Sequence, residues 1–210
     1  MSGLDFLSPA KADEGAIARS PMERKAQAAG ARFEVRDGWN VAVEYPGEDR
    51  GGDAVAWADV SHLRKVELRG DYAAGEFGTA TRSGDAWWCR LTGDRALGIG
   101  VAEDPPGALD VTCSYAALTI LGPQARETIA RFCALDLRPH QAPPQSFRPG
   151  SIARQPGMII VEAENRFLLL FGWAVAEYVW TVVEDAAKPF GGTPIGTEAL
   201  ARASEVVASA

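Results

Sequence analysis

Two stretches of the chain share one order of apolar and polar positions. Val66-Glu67-Leu68-Arg69 alternates between apolar and polar residues and then reaches Gly70. Leu118-Thr119-Ile120-Leu121 stands in the same place before Gly122, and an alanine follows each glycine three residues later. Alternation predicts a half-buried strand, and a glycine predicts a turn at its end. Each stretch therefore predicts a strand that turns into a helix, and Pro123 suits the first turn of the second helix.

A pair of short apolar runs follows each of these stretches. The runs span residues 87–91 and 96–101 in the first case, and residues 158–162 and 167–171 in the second. Turn-forming residues separate the runs in both places, which predicts two β-hairpins. The pattern indicates an internal duplication over about residues 57–105 and 112–190. A chance echo within one α+β domain is the alternative interpretation.

The fold class that follows is α+β, with duplicated strand-helix-hairpin units forming antiparallel sheets and with helices packed outside. We expect one domain over residues 20–200, a flexible N-terminal tail at residues 1–19 and a frayed helical tail at residues 201–210. Residues 46–53 and 141–145 are rich in turn formers and predict loops.

Three further elements are predicted from local signals. Ser20, Pro21 and Glu23 form a capping-box pattern that predicts the start of a helix, with Gly30 as its stop. The dipeptide Asp37-Gly38 predicts a tight turn between strands at residues 32–35 and 39–45. The third element is an amphipathic helix over residues 175–188, whose predicted apolar stripe is Val179, Val182 and Val183.

Composition and charge limit the class of protein and its partners. The 210 residues are 47% hydrophobic and 23% charged, which excludes a wholly disordered chain, a collagen-like repeat and a coiled coil. The formal charge of −7 repels phosphate and anionic lipid, so we expect neither a nucleic acid nor a membrane as a partner. Three cysteines without CxxC spacing and two histidines predict no metal site. Without a signal-peptide pattern or a membrane-spanning apolar run, we expect a cytoplasmic protein.

No catalytic constellation is evident from residue types and spacing alone. The adjacent acidic pairs at residues 13–14, 48–49, 103–104 and 184–185 are expected to be solvated surface charges. Asp59 lies among apolar residues just before a predicted strand, and it is either a turn residue that binds backbone N–H groups or a functional acid. His62 follows Ser61 without a third group that would complete a triad, so a structural role is favoured. The tryptophans are expected to fill the core rather than to stack on a ligand.

Three segments carry a resemblance to a known family. Residues 57–70, beginning Trp-Ala-Asp-Val-Ser-His, resemble the strand-entry segment of glycine-cleavage T-proteins, which are tetrahydrofolate-dependent aminomethyltransferases. Residues 117–125 are similar to the second marker of that family, an apolar strand that ends in Gly-Pro and enters a helix. Residues 194–200, Pro-Ile-Gly-Thr-Glu-Ala-Leu, resemble the segment that closes its folate-binding region. The resemblance implies a folate-binding-type domain and tetrahydrofolate as a cofactor.

The site positions of that family are matched only in part. Where T-proteins carry an Asp-rich stretch, residues 78–88 hold Asp85 without a neighbouring aspartate. The Tyr-Thr-Gly-Glu loop of the family corresponds to residues 161–166, with Glu162 or Glu164 as an approximate substitute. Ala199-Leu200 stands where an arginine is expected. These departures imply a site that has lost its chemistry.

A second family member resembles this chain more closely in size. The opening patterns Ser-Pro-Met-Glu-Arg at residues 20–24 and Asp-Gly-Trp-Asn-Val at residues 37–41 are similar to the gamma subunit of heterotetrameric sarcosine oxidase. The resemblance implies a degenerate aminomethyltransferase-like subunit in one-carbon amine metabolism, with larger subunits of an amine-oxidising complex as partners. The alternative is an active tetrahydrofolate-dependent aminomethyltransferase. Its site candidates would then be Asp59 and Asp85 for catalysis and Glu164 for the cofactor. A stand-alone scaffold that uses the fold without a ligand stays open as a third class.

Overall fold

The computed structural model describes residues 16–48, 54–70 and 75–208, the last five of them as backbone only. Its N-terminal part contains β1 (Ala18–Arg19), α1 (Glu23–Ala28), β2 (Arg32–Arg36) and β3 (Trp39–Glu44). These three strands form sheet 1 in the order β1-β3-β2. Asp37 and Gly38 both have positive φ, at 50° and 77°, which matches the twist of a two-residue hairpin turn and confirms the predicted hairpin.

The remaining elements form two larger sheets with helices against one of them. They are β4 (Ala56–Asp59), β5 (Lys65–Arg69), β6 (Ala80–Ser83), β7 (Ala86–Thr92), β8 (Arg95–Ile99), β9 (Leu109–Asp110), β10 (Tyr115–Leu121), α2 (Ala125–Ala130), β11 (Phe147–Ile152), β12 (Gln155–Ala163), β13 (Arg166–Gly172), α3 (Ala176–Ala187), β14 (Thr193–Pro194) and α4 (Thr197–Ala208). Short 3₁₀ turns at Thr112–Ser114, Trp173–Val175 and Lys188–Phe190 connect some of them.

Sheet 2 has the strand order β11-β12-β13-β10-β4-β14, and sheet 3 has the order β6-β7-β8-β5-β9. Neighbours are antiparallel except β14 beside β4, and β1 beside β3 in sheet 1. The predicted hairpins are confirmed as β7–β8 and β12–β13, and the α+β class with antiparallel sheets is confirmed with them. The helix that the sequence predicts after Gly70 would begin within residues 71–74, and these lie outside the described residues.

Two apolar layers hold the sheets and helices together. One layer joins the facing sides of sheets 2 and 3 through residues such as Leu97, Ile160 and Leu168. The other joins the opposite side of sheet 2 to the helices, where the rings of Trp57 and Trp180 meet edge to face with centroids 5.9 Å apart. Because strand side chains alternate between faces, β4, β10, β12 and β13 supply apolar residues to both layers.

The start of one predicted helix needs correction, and two predicted domain boundaries, at residues 19 and 200, coincide with a strand and a helix. Helix α1 begins at Glu23 rather than at Ser20, because the hydroxyl of Ser20 accepts the N–H of Met22 and donates to Asp59 instead of capping the helix. The predicted flexible tail reaches Arg19, but β1 is an ordered strand in which the N–H of Ala18 donates to the carbonyl of Gly38 at 2.8 Å. Helix α4 runs through residue 200, where the domain was expected to end, because Leu200 is buried in the layer between sheets 2 and 3.

Candidate functional site

A cavity of about 310 Å³ opens where sheets 2 and 3 meet helix α4. Its apolar walls come from the layer between the sheets, and its charged side chains come from the hairpins. The charged and titratable residues that line it are His62, Arg82, Asp85, Glu162 and Arg166. The volume is at the low end of the range of about 300–1,000 Å³ for ligand sites.

Glu162 is the best-fixed acid of the cavity. The register of β12 against β13 shifts between Val161 and Ala163, so Glu162 lies in a β-bulge. One carboxylate oxygen accepts the indole N–H of Trp87 at 2.9 Å, and the other accepts the Nε–H of Arg166 at 2.9 Å. Bulges re-aim a side chain at the edge of a site. Here the bulge points the carboxylate at a neighbouring hairpin, and each oxygen already has a donor.

Asp85 and Arg82 form the exposed side of the cavity. The guanidinium of Arg82 lies over the ring of Trp87, 4.7 Å from its centroid. Asp85, in the turn between β6 and β7, is fully exposed and its carboxylate lies 3.9 Å from the guanidinium of Arg82. Water screens the field between exposed charges, so the contact of Asp85 with Arg82 is weak.

Asp59 lies outside this cavity, at the end of β4 rather than before a strand as expected. One of its oxygens accepts the N–H of Ser61 at 2.9 Å, and the other accepts the hydroxyl of Ser20. Burial raises the pKa of this carboxyl, although its two serine partners lower it. These bonds are the ones expected of a turn residue that binds a nearby backbone N–H, and the role of Asp59 as a functional acid stays a prediction.

Glu164 is exposed at the turn between β12 and β13 and does not line the cavity. Its carbonyl oxygen accepts a hydrogen bond from Arg126 at 2.9 Å. The three acids named from the sequence are thus separated: Asp85 lines the cavity, and Asp59, which is buried, and Glu164, which is exposed, lie outside it.

Two buried charges have no clear signal in the sequence patterns and were not expected. The ammonium of Lys65 donates to the carbonyls of Ser61 and Leu63 at 2.9 and 2.8 Å, and burial lowers the pKa of this lysine to about 8. Glu48, expected to be a surface charge, is buried and accepts the N–H groups of Tyr45 and Gly196 at 2.9 and 2.8 Å. The sequence offers one weak indication for Lys65, which is that it stands directly before the alternating apolar and polar residues of β5. Glu48 has no local signal, because its partner Gly196 is 148 residues away.

His62 lies at the boundary between this cavity and a second cleft. Burial, with Lys65 and Arg36 nearby, lowers its pKa to about 4, so the imidazole is neutral at pH 7. Burial also raises the pKa of the thiols of Cys89 and Cys133. Within the described ranges, the acids, cysteines and histidines form no cluster of three that could hold a metal ion. Among the same residues, no helix is long and apolar enough to cross a bilayer.

The cavity offers tetrahydrofolate an incomplete set of partners. Arg82 and Arg166 are the cations of the lining that could meet the carboxylates of a folate glutamate, Arg166 while also paired with Glu162. The pterin ring presents N–H groups that need a carboxylate acceptor, and the oxygens of Glu162 already bind Trp87 and Arg166. Asp85 could serve as that acceptor only from solvent at the rim. The residues present therefore fit the anionic end of folate better than its ring.

No protein-family model and no curated protein match the sequence. Solved structures do match. A chain of heterotetrameric sarcosine oxidase from Corynebacterium sp. U-96, in complex with pyrrole 2-carboxylate, has a TM-score of 0.63 at 18% identity, over 82% of this chain and 96% of that one. Glycine cleavage system aminomethyltransferase T from Bartonella henselae has a TM-score of 0.67 at 16% identity, over 88% of this chain and 61% of that one. The chain has the fold of aminomethyltransferase T and of this sarcosine oxidase chain, as the resemblance of its segments predicts.

Proposed function

We propose that the chain is a subunit of an amine-oxidising complex, similar to the gamma subunit of sarcosine oxidase, and that it does not itself transfer aminomethyl groups. The observation that carries the proposal is the state of its carboxylates. Proton transfer requires an acid or base within hydrogen-bond reach of the substrate. Both oxygens of Glu162 accept N–H groups of neighbouring side chains, Asp59 is buried and bonded to Ser20 and Ser61, and Asp85 is in solvent.

The comparisons and the surface support a role in an assembly. Sarcosine oxidase, whose chain shares this fold, is heterotetrameric. Phe77 and Leu109 are exposed in the described part of this chain, and a partner that covered them would remove their apolar area from water. The three cysteines form no disulfide, which fits the reducing cytoplasm, where we place the complex.

We also attribute the fold to an internal duplication. The order β6-β7-β8-β5-β9 in sheet 3 corresponds strand for strand to β11-β12-β13-β10-β4 in sheet 2. The glycines that follow β5 and β10, Gly70 and Gly122, have nearly equal φ of 116° and 113°. The first strand of each unit lies in the sheet of the other unit. This correspondence supports a gene duplication that left one folate-type domain.

Calorimetric titration with tetrahydrofolate, combined with co-purification, tests the proposed function. We expect no heat of binding up to millimolar tetrahydrofolate, and co-purification with larger oxidase-type subunits when the chain is isolated from its native source. Binding near 1 μM, about −8 kcal/mol, would overturn the proposal and favour an active enzyme. Failure of the larger subunits to retain the chain would overturn it as well.

The second candidate is a tetrahydrofolate-dependent aminomethyltransferase, and the cavity with Asp85, Arg82 and Arg166 favours it. Tetrahydrofolate would supply the acceptor of the one-carbon unit. In that case Asp85 would orient the substrate amine from the rim, and the two arginines would hold the glutamate carboxylates. Asp85→Asn would then abolish turnover, while Glu164→Gln, outside the cavity, would leave it unchanged.

A further inference from the structure

The cavity between sheets 2 and 3 contains a buried hydroxyl without a partner. Along β10, Leu118 and Ile120 belong to the layer against the helices, so Thr119 between them faces sheet 3 and lines the cavity. Thr119 is 2% exposed, and its hydroxyl forms no hydrogen bond within the described ranges. Buried hydroxyls are nearly always paired, because an unpaired one costs free energy. Thr119 is therefore a polar group at the deep end of the cavity that is open to a ligand.

The exposed end of the cavity, its mouth, carries a cation with unused donors. The side chain of Arg82 is 44% exposed, and its guanidinium lies over the ring of Trp87, 4.7 Å from the centroid. The carboxylate of Asp85 is 3.9 Å away, too far for a hydrogen bond, and no other described residue bonds to this guanidinium. Stacking leaves the N–H groups at the edge of a guanidinium free, and two of them match the two oxygens of a carboxylate.

Between the deep end and the mouth, the wall of the cavity is apolar. Ile99 from sheet 3, Leu168 from sheet 2 and Leu200 from α4 line it, and all three are buried in the layer between the sheets. Glu162 and Arg166 form an ion pair at 2.9 Å, so together they add no net charge. An apolar cavity with a few polar groups that converge on it is the usual form of a small-molecule site.

We propose that this cavity binds a small apolar carboxylate of about the size of a hydroxybenzoate. The carboxylate binds Arg82 at the mouth, where it keeps part of its hydration, and a hydroxyl or N–H group at the other end of the ligand binds Thr119. The apolar body between them is removed from water by the cavity wall. The volume of about 310 Å³, at the low end for ligand sites, favours a single ring over a larger ligand. The inference goes beyond the proposed function and does not depend on it.

Calorimetric titration with three related probes tests both ends of the cavity. The first probe is 4-hydroxybenzoate, the second is benzoate, which lacks the hydroxyl, and the third is phenol, which lacks the carboxylate. We expect 4-hydroxybenzoate to bind with a dissociation constant below about 1 mM. Benzoate should bind about fivefold more weakly and phenol about tenfold more weakly, because each leaves one polar group of the cavity without its partner.

Two variants assign the binding to the residues named. Arg82→Gln should weaken the binding of 4-hydroxybenzoate at least about tenfold and leave that of phenol unchanged. The matched control is Arg131→Gln, because Arg131 stacks on Phe190 at the same 4.7 Å but lies outside the cavity. Thr119→Val keeps the shape of the side chain and removes the unpaired hydroxyl. It should melt at the wild-type temperature or above it, and it should bind 4-hydroxybenzoate no better than benzoate.

Three results would overturn the inference. One is no binding of 4-hydroxybenzoate up to about 10 mM. Another is equal affinity of the Arg82→Gln and Arg131→Gln proteins, because the carboxylate would then bind elsewhere. The third is a folded Thr119→Val protein that still prefers 4-hydroxybenzoate to benzoate. The proposed function is decided separately, by tetrahydrofolate and by the larger subunits, so either proposal can fail while the other stands.

Discussion

At the scale of single residues, two buried carboxylates, Asp59 and Glu48, bind backbone N–H groups, although Glu48 was expected to face water and Asp59 was left open between a turn residue and a functional acid. Asp59 fixes the turn after β4 through Ser20 and Ser61. Glu48 joins the segment after β3 to the start of α4 through Tyr45 and Gly196. A carboxylate that accepts backbone N–H groups stabilises segments that lack a strand or helix partner.

Glu48 offers a direct test of this structural role. Its Oε2 atom accepts both N–H groups, while Oε1 lies 3.6 Å from Arg202. Glu48→Ala leaves two buried donors without an acceptor and is expected to lower the free energy of unfolding by about 2–4 kcal/mol. Glu48→Gln keeps one carbonyl oxygen at that position and should recover more than half of the loss. Urea denaturation measures both, and equal losses in the two variants would contradict the assigned bonds.

His62 gives a second residue-scale prediction, on pH. Its pKa is about 4 in the folded protein against an ordinary 6.5, so folding favours the neutral imidazole. The stability that this group contributes is therefore complete above pH 6.5 and is lost as the pH falls through 4. Between pH 7 and pH 4 the wild type should lose about 2 kcal/mol more than His62→Gln, since one pKa unit corresponds to about 1.4 kcal/mol and the ring is part-exposed. Parallel pH profiles of thermal unfolding for the two proteins would disprove the burial effect.

At the scale of elements, local patterns predicted the hairpins well and the helix ends less well. Alternation and turn residues lie within about ten positions of one another, so β7–β8 and β12–β13 could be predicted from the sequence. The start of α1 could not, because the hydroxyl of Ser20 is drawn to Asp59, 39 residues away. The predicted apolar stripe of α3 is confirmed at Val179 and Val183, which are fully buried. Val182 is part-exposed, and Trp180 is buried in the layer between the helices and sheet 2.

Helix α4 depends on one close approach. A methyl group on Gly196 would overlap the carbonyl oxygen of Val43 and its neighbouring backbone atoms, which cannot move aside as a side chain could. Gly196→Ala is therefore expected to push the start of α4 away from β3 and to cost about 3 kcal/mol or more of unfolding free energy. Gly172→Ala is the matched control, because a methyl group there would meet no described atom within 4 Å beyond its chain neighbours. Thermal unfolding compares the two, and a Gly196→Ala protein as stable as the control would refute the contact.

At the scale of the whole molecule, strand exchange makes the two parts of the chain depend on each other. Strand β4 precedes β5 in the sequence but pairs with β10 in sheet 2, and β9 precedes β10 but pairs with β5 in sheet 3. The sequence analysis predicted β5 and β10 but neither of the exchanged strands β4 and β9, because these strands are short and pairing between distant strands has no local signal. The same limit applies to the cavity, whose lining comes from β6, β7, β8, β10, β12, β13 and α4 together.

Cutting the chain tests whether the exchange is required for folding. A protease site inserted at Gly107, in the exposed turn before β9, divides the chain into residues 1–107 and 108–210. Each fragment alone would leave one sheet without its exchanged strand and with its apolar face, such as Leu97 or Leu168, open to water. We expect the two fragments to be unfolded by circular dichroism when separate, and the cut protein to stay associated and to unfold in one transition, as the uncut insertion control does. A separate fragment that unfolds in a cooperative transition would show that one sheet folds without the other. The interface between the sheets would then join two independent folding units.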